Sequence, residues 1–361
     1  MPDDRIKRAI EWLRDAIRAE PKSYLAYLPL LGIDSSNLPT AVGNVTFLPG
    51  DSRTIATMKR PVSTIIKSLK NEEASKKALR KHLVEDINNT FRNGVVGELV
   101  VQAGDDDNAE EKAVRECRRT IDTINFFSDI FASSGMRSCV SLLGDGNQVV
   151  SLVSKKERTR LMVLMREKYD SHESSILYKG RQIAGFTCPG YARGPLLALR
   201  LPKADSRPAL DSGFARLSEL LANDDRTSLE DRILSAFQWA GRATVEVRRE
   251  EAFLLYMIAL ESLVLGGKAA SEITFQLRIK TGHLIKSRSE DRKTLLKRLG
   301  ALYGIRSKIV HSGSFQVTDS ELRETRQYTK QALLTVAIGK PFRSMKTEEE
   351  FDGWLEERLL S

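Results

Sequence analysis

The chain has 361 residues, 41% of them hydrophobic and 29% charged, and carries a formal net charge of +9. That length exceeds what one core usually fills, so two domains are expected, and the ordinary composition excludes a disordered or fibrous chain. No run of about eighteen apolar residues occurs, and the odd, widely spaced Cys117, Cys139 and Cys188 exclude a disulfide framework and a thiolate zinc site, so a cytoplasmic protein with buried or free thiols is expected.

The first twenty residues, MPDDRIKRAIEWLRDAIRAE, have the spacing of an amphipathic helix with acids at its start, not that of a signal sequence. Loop punctuation then surrounds a short strand at NVTFLP, residues 60–92 are helical, and GVVGELVVQA is a buried strand. NAEEKAVRECRRTIDTINFFSDIFAS is a helix for which Asn108 is the expected N-cap. RSCVSLLGDGNQVVSLVS has the form of a hairpin turning at Gly144–Gly146, and the apolar run RLMVLMREKY fits either a helix or a strand. Residues 187–212 hold four of the eleven prolines with several glycines, which marks a boundary.

Beyond that boundary nearly every segment has helical spacing. Helices are expected after Ser212, after the capping pair Ser228 and Asp231, across EEAFLLYMIALESLVL, SEITFQLRIKTGHLIK and RKTLLKRLGALYGIRSKIVHSG, and after Thr318, whose partner Glu321 stands at capping-box spacing. A last helix, TEEEFDGWLEERLLS, is a tail that docks on the bundle or on a second subunit. The expected architecture is an α+β amino-terminal domain over residues 1–205 followed by an all-α bundle of five or six helices over 206–361.

Charge is unevenly placed. Residues 271–346 hold 16 Lys and Arg against 6 Asp and Glu, a net of +10, leaving 41 against 42 for the rest of the chain. A localised basic field suits a polyphosphate partner, although solvated helix faces give the same count. The simplest signatures of a P-loop, a dinucleotide-binding turn and a nucleophile elbow are missing. The clusters AGDDDN and GDGNQ lack calcium-loop spacing and are expected to be turns, so no metal and no cofactor are expected. His82 and His172 are expected at the surface, and His283 in a structural role.

Two features remain. Phe253, Met257, Leu260 and Val264 define the apolar face of one helix, and Glu261 falls on its core side, where a carboxylate must be paired; Arg306 or Arg242 could serve. Arg306 and His311 lie five residues apart, which on an ideal helix separates them by roughly 140°. Arginine's reach, or fraying near Gly313, could still bring them to one edge, while a histidine in a last helical turn also has a purely structural explanation in the macrodipole.

Taken together, YMIALESLVLGG, ITFQLRIKTGHLI and LYGIRSKIVHSG resemble the Apea-like branch of the HEPN superfamily, whose mark is Arg, four to six residues, then His; the resemblance spans roughly residues 228–342. It implies an all-helical, HEPN-like domain that dimerises so that two Arg/His pairs share one cleft, and a metal-independent endoribonuclease acting in phage defence or a toxin-like system. On that reading Arg306 and His311 are catalytic, Glu261 and Ser307 support them, and Lys297, Arg298 and Lys308 contact RNA. Many active members carry Asn, Asp or His where this chain has Ser307, which favours a non-catalytic module binding RNA, a nucleotide or a partner protein. A subgroup modified by nucleotidyltransferases carries Tyr where this chain has Gly313, so that modification is not expected. The amino-terminal region would position RNA or sense a protein or nucleotide trigger. A third alternative leaves Arg306 only as the structural partner of Glu261.

Overall fold

Strand β1 (Lys22–Leu31) is buried along most of its length, as the run YLAYLPLL requires, and organises the amino-terminal half. The computed structural model describes residues 21–68, 73–92, 94–131, 140–142, 147–152, 159–166, 176–178, 181–183, 199–203, 206–246, 248–266, 273–285, 289–312 and 316–358. The expected opening helix, His172, Cys139, Cys188 and Gly313 lie outside them.

After β1 come β2 (Thr40–Val42), β3 (Val45–Pro49), α1 (Ser52–Ser68), α2 (Glu73–Phe91), β4 (Val95–Ala103) and α3 (Asp106–Phe131). Strands β5 (Ser141–Leu142), β6 (Asn147–Leu152) and β7 (Thr159–Arg166) follow, then the separate pair β8 (Ile176–Tyr178) and β9 (Arg181–Ile183). The main sheet has the order β2-β3-β4-β1-β7-β6, antiparallel except where β7 runs parallel to β1. The apolar run RLMVLMREKY is therefore a strand from Arg160 to Arg166, and its last three residues lie outside the described set. The hairpin expected across Gly144–Gly146 is not formed between its own flanks, because β5 pairs with β1 and β6 with β7. The turn residues themselves lie outside the described set.

Both faces of the sheet are covered. On one, Ile55, Met58, Val62 and Ile66 of α1 and Leu83, Ile87 and Phe91 of α2 pack on Tyr27 and Val96. On the other lies α3, whose Cys117 is fully buried; burial pushes its thiol up to about 12, so it stays protonated and inert. Helix α3 starts two residues before Asn108. Asp105 is the cap, accepting the Asn108 backbone N–H at 2.8 Å and its side-chain amide at 2.7 Å. Four polar residues in a row can each cap a helix, and the earliest that reaches an N–H three residues on prevails. The AGDDDN cluster, expected to be a turn, is instead a helix start, with Asp106 to Asn108 already in the first turn.

The second half contains α4 (Arg207–Asp211), α5 (Phe214–Ala222), α6 (Ser228–Val245), α7 (Arg249–Leu265), α8 (Ile273–Ile285), α9 (Ser289–Ser312), α10 (Asp319–Ile338), α11 (Lys340–Ser344) and α12 (Glu348–Glu357). Helix α6 is capped one residue earlier than expected, by a box between Thr227 and Glu230 rather than by Ser228 and Asp231. The Thr318–Glu321 box on α10 forms with both bonds. Helix α7 is apolar nearly all round and sits against α6, α8, α9 and α10, as a central helix must. No helix among the described residues is long and apolar enough to cross a membrane.

A mixed α/β half followed by helices is therefore observed. The two halves share one hydrophobic core, from Tyr24 through Phe127 and Phe237 to Phe351. Helix α3 makes the bridge, with Phe126 and Phe127 ring to ring with Phe237 and Phe214 at 4.6 and 5.3 Å. Gly241 of α6 lies so close to α3 that a Cβ there would stand 1.8 Å from the Asp122 carbonyl oxygen.

The tail helix docks on its own bundle. Arg232 of α6, only 3% exposed, donates to Glu348 at 3.2 Å, to Asp352 at 3.1 Å and to the Leu263 carbonyl at 2.8 Å, while Lys280 approaches Asp352 at 3.7 Å. Gly266 closes α7 with φ +60°, and a Cβ there would press on both Arg232 and Glu348.

Candidate active site

Glu261 lies on the core side of α7 for the reason its spacing indicates: Met257 and Leu260 before it and Val264 after it are fully buried. Of the two arginines considered as its partner, Arg306 is the one that meets it. Arg306 Nη2 donates to Glu261 Oε2 at 3.2 Å, and Nε stands 3.2 Å from Oε1, with side chains 26% and 19% exposed. The second contact is an ion pair without hydrogen-bond alignment, which leaves Oε1 buried with no donor among the described residues. Burial raises the Glu261 pKa, and Arg306 opposes it through charge and hydrogen bonding. Arg242 is engaged elsewhere: its Nε donates to Asp122 Oδ2 at 2.8 Å and its guanidinium lies 5.0 Å from the Trp239 ring.

Tyr303, one turn before Arg306 on α9, completes the cluster. The guanidinium lies 5.7 Å from its ring centroid, and the phenol pKa is raised by burial and by Glu261, with Arg306 acting against both. Its position three residues ahead of Arg306 on one helix is a readable signal for the contact. Arg306 is thus held from two sides through its Nε and Nη2 edge. Its Nη1 has no protein partner among the described residues and faces away from the carboxylate.

His311 lies in the last turn of the same helix and is exposed. Helix α9 continues unbroken through Ser312, so no fraying up to that residue reduces the 140° separation. Among the described residues no hydrogen bond or ion pair joins His311 to Arg306. Ser307 is half-buried beside Arg306, and Lys308 and Val310 are exposed, Val310 at 52%. Lys297 is exposed, but Arg298 forms a close ion pair with Glu324 of α10, so part of its charge is already spent.

The other described histidines, His82 and His283, sit apart from this cluster. His82 is 72% exposed beside Asp86 at 3.3 Å. A ring nitrogen of His283 faces Arg292 at 3.0 Å, and burial first, then Arg292 and Arg358, lower its pKa. No group of three or more His, Cys, Asp or Glu gathers as a metal site among the described residues.

The arrangement presents a planar cation, fixed by a carboxylate and a ring, on the same helix as an exposed imidazole. Such parts can hold a phosphate and move a proton, provided a substrate reaches both. Comparison of the chain with known protein families, characterised proteins and solved structures finds no significant match.

Proposed function

We propose that the chain is a metal-independent endoribonuclease of the HEPN type, acting as a regulated RNA-cleaving effector in defence or in a toxin-like system. The observation that carries the reading is Arg306 of α9, fixed by Glu261 of α7, on the helix whose last turn holds exposed His311. Glu261 engages one edge of the guanidinium and leaves Nη1 to take a phosphate oxygen. His311 takes the proton of a ribose 2′-hydroxyl; the 2′-oxygen bonds to phosphorus, the P–O5′ bond breaks, and the departing 5′-oxygen takes a proton from water, to which His311 returns its own. The products are a 2′,3′-cyclic phosphate and a 5′-hydroxyl, and proton transfer of this kind accelerates by about 10²- to 10⁴-fold. Because one chain turns Arg306 and His311 to different sides of α9, the reading includes a homodimer that brings the arginine of one copy to the histidine of the other. Ser307 can hydrogen-bond the phosphate but adds no acid/base group.

The test is incubation of wild type and His311→Ala with total RNA and tRNA in EDTA, followed by analysis of product ends. Wild-type-only cleavage with cyclic phosphate ends is the expected outcome; equal cleavage by both proteins would refute the assignment of His311.

A second reading also has an observation behind it. The guanidinium already engages a carboxylate, which suits a structural arginine in a binding module. The two readings part at Arg306→Lys, which keeps the charge and loses the planar fork: a structural or purely electrostatic role survives the change, and phosphate positioning does not.

A further inference from the structure

The sequence locates the excess positive charge in residues 271–346, but the folded chain uses much of it internally. Arg306 is paired with Glu261, Arg298 with Glu324 and Lys280 with Asp352, and Arg278 Nε donates to the Leu296 carbonyl of α9 at 2.8 Å. A second concentration is hidden in the near-neutral remainder. Residues 52–92 hold ten Lys and Arg against four Asp and Glu, and these residues build α1 and α2.

The placement of those cations is orderly. In α1, Arg53, Arg60 and Lys67 recur every seven residues, so they form one stripe, with about 10 Å between successive charges. That stripe lies opposite Ile55, Met58, Val62 and Ile66, which are buried against the sheet, and all three cations are exposed. Helix α1 contains no acid. Helix α2 packs alongside it, and the first half of α2 adds exposed Lys77, Arg80 and Lys81. Among the described residues, Arg60, Lys67, Lys77, Arg80 and Lys81 form no ion pair; the nearby pairs are Lys76 with Glu73 at 3.9 Å and His82 with Asp86. Six exposed cations, Arg53, Arg60, Lys67, Lys77, Arg80 and Lys81, outnumber the exposed acids Asp51, Glu73 and Glu85 on and beside these helices, and a net positive face of this kind is costly in self-repulsion and is relieved by a polyanion whose counterions are released.

We propose that the outer face of α1 and α2 is a docking surface for the phosphate backbone of RNA. The choice of RNA among polyanions rests on the proposed ribonuclease function; the surface itself does not. The face tracks backbone, not sequence, since it offers cations and no exposed aromatic side chain for stacking among its described residues. It lies across the sheet from α3 and the bundle, so capture there is spatially separate from Arg306 and His311.

The test measures binding of a fluorescent single-stranded uridine oligomer by anisotropy across a potassium chloride series, using the full chain with His311→Ala so that the RNA stays intact. Lys77→Gln/Arg80→Gln/Lys81→Gln is compared with a charge-matched control, Lys340→Gln/Arg343→Gln/Lys346→Gln, whose three cations are also exposed. Loss of three phosphate contacts lowers the log–log salt slope by about 2, which extrapolates to about 100-fold weaker binding near 0.1 M salt. The α2 triple variant should show that loss at an unchanged melting temperature, and the control should bind like its parent. Equal losses in both triples, or a slope unchanged in the α2 triple, overturn the proposal. So does binding to phosphatidylserine vesicles through the same three residues without binding to RNA. Cleavage by the wild type is read separately: an α2 triple that binds normally beside an active wild type sinks only this surface, and a triple that loses binding while no protein cleaves sinks only the nuclease.

Discussion

Replacing Arg306 by Ala tests what the Glu261 pair does for the fold before any question of catalysis arises. Breaking a fully buried ion pair costs about 3 to 5 kcal/mol, and an exposed pair is worth about 0 to 1. With side chains 26% and 19% exposed, this pair falls between the limits, and about 2 kcal/mol is expected at pH 7, including the lost contact with Tyr303. The orphaned Glu261 can escape by taking a proton. Burial already raises its pKa, and without Arg306 nothing opposes that rise. Native Glu261 then holds a proton at pH values where the unfolded chain has released it, so the variant gains stability as pH falls toward the ordinary carboxylate range. The penalty should be largest near pH 8 and smaller near pH 5. Urea denaturation of wild type, Arg306→Ala, Glu261→Gln and the double variant at both pH values measures penalty and coupling together. A cost below about 0.5 kcal/mol at both, with no coupling, would refute the pair as a structural element.

Three further outcomes are expected. Asp122, whose pKa burial raises to about 6 against the pull of Arg242, holds its proton in the native state between pH 4 and 6 while the unfolded chain does not; wild type should therefore lose up to about 3 kcal/mol as pH rises through that window, and Asp122→Asn should flatten the profile in urea melts. Gly241→Ala drives a Cβ into the Asp122 carbonyl, a backbone atom that cannot turn aside; a loss of about 3 kcal/mol or an insoluble protein is expected, and a change under about 1 kcal/mol would mean that α3 and α6 are not so close. Arg232→Ala removes the buried cation that both Glu348 and Asp352 meet, so residues 348–357 should lose hydrogen-exchange protection before the rest of the bundle does.

What could be read from the chain follows how local each determinant is. The Thr318 box, the strand at residues 95–103 and the inward turn of Glu261 depend on residues within a few positions, and the structure has them as expected. The choice between Arg306 and Arg242 for Glu261 does not, because Arg242 is claimed by Asp122, 120 residues away and across the expected domain boundary. The same limit explains the hairpin. The residues GDGN fit a tight turn, but whether its flanks pair with each other depends on β1, which takes β5 on the edge it also shares with β7. The 140° between Arg306 and His311 was legible from spacing alone, and an unbroken α9 preserves it. The Arg232 hub had no local signal at all, since its carboxylates lie 116 and 120 residues away.

Charge shows the same dependence with a functional consequence. A window count gives equal weight to Arg306, enclosed by Glu261 and Tyr303, and to Arg80, which projects into solvent; only the second adds to the field that a distant polyanion meets. If α1 and α2 capture RNA while Arg306 and His311 cut it, the two steps respond to different perturbations. Raising salt from about 0.05 to 0.2 M weakens phosphate contacts made before the chemical step, so KM should rise steeply while kcat holds. Arg306→Lys should do the reverse, lowering kcat with little change in KM, because the fork acts on charge that develops as the P–O5′ bond breaks. Steady-state cleavage of one labelled RNA by wild type, the α2 triple variant and Arg306→Lys separates the two, and a salt effect confined to kcat would show that capture and cleavage use the same cations.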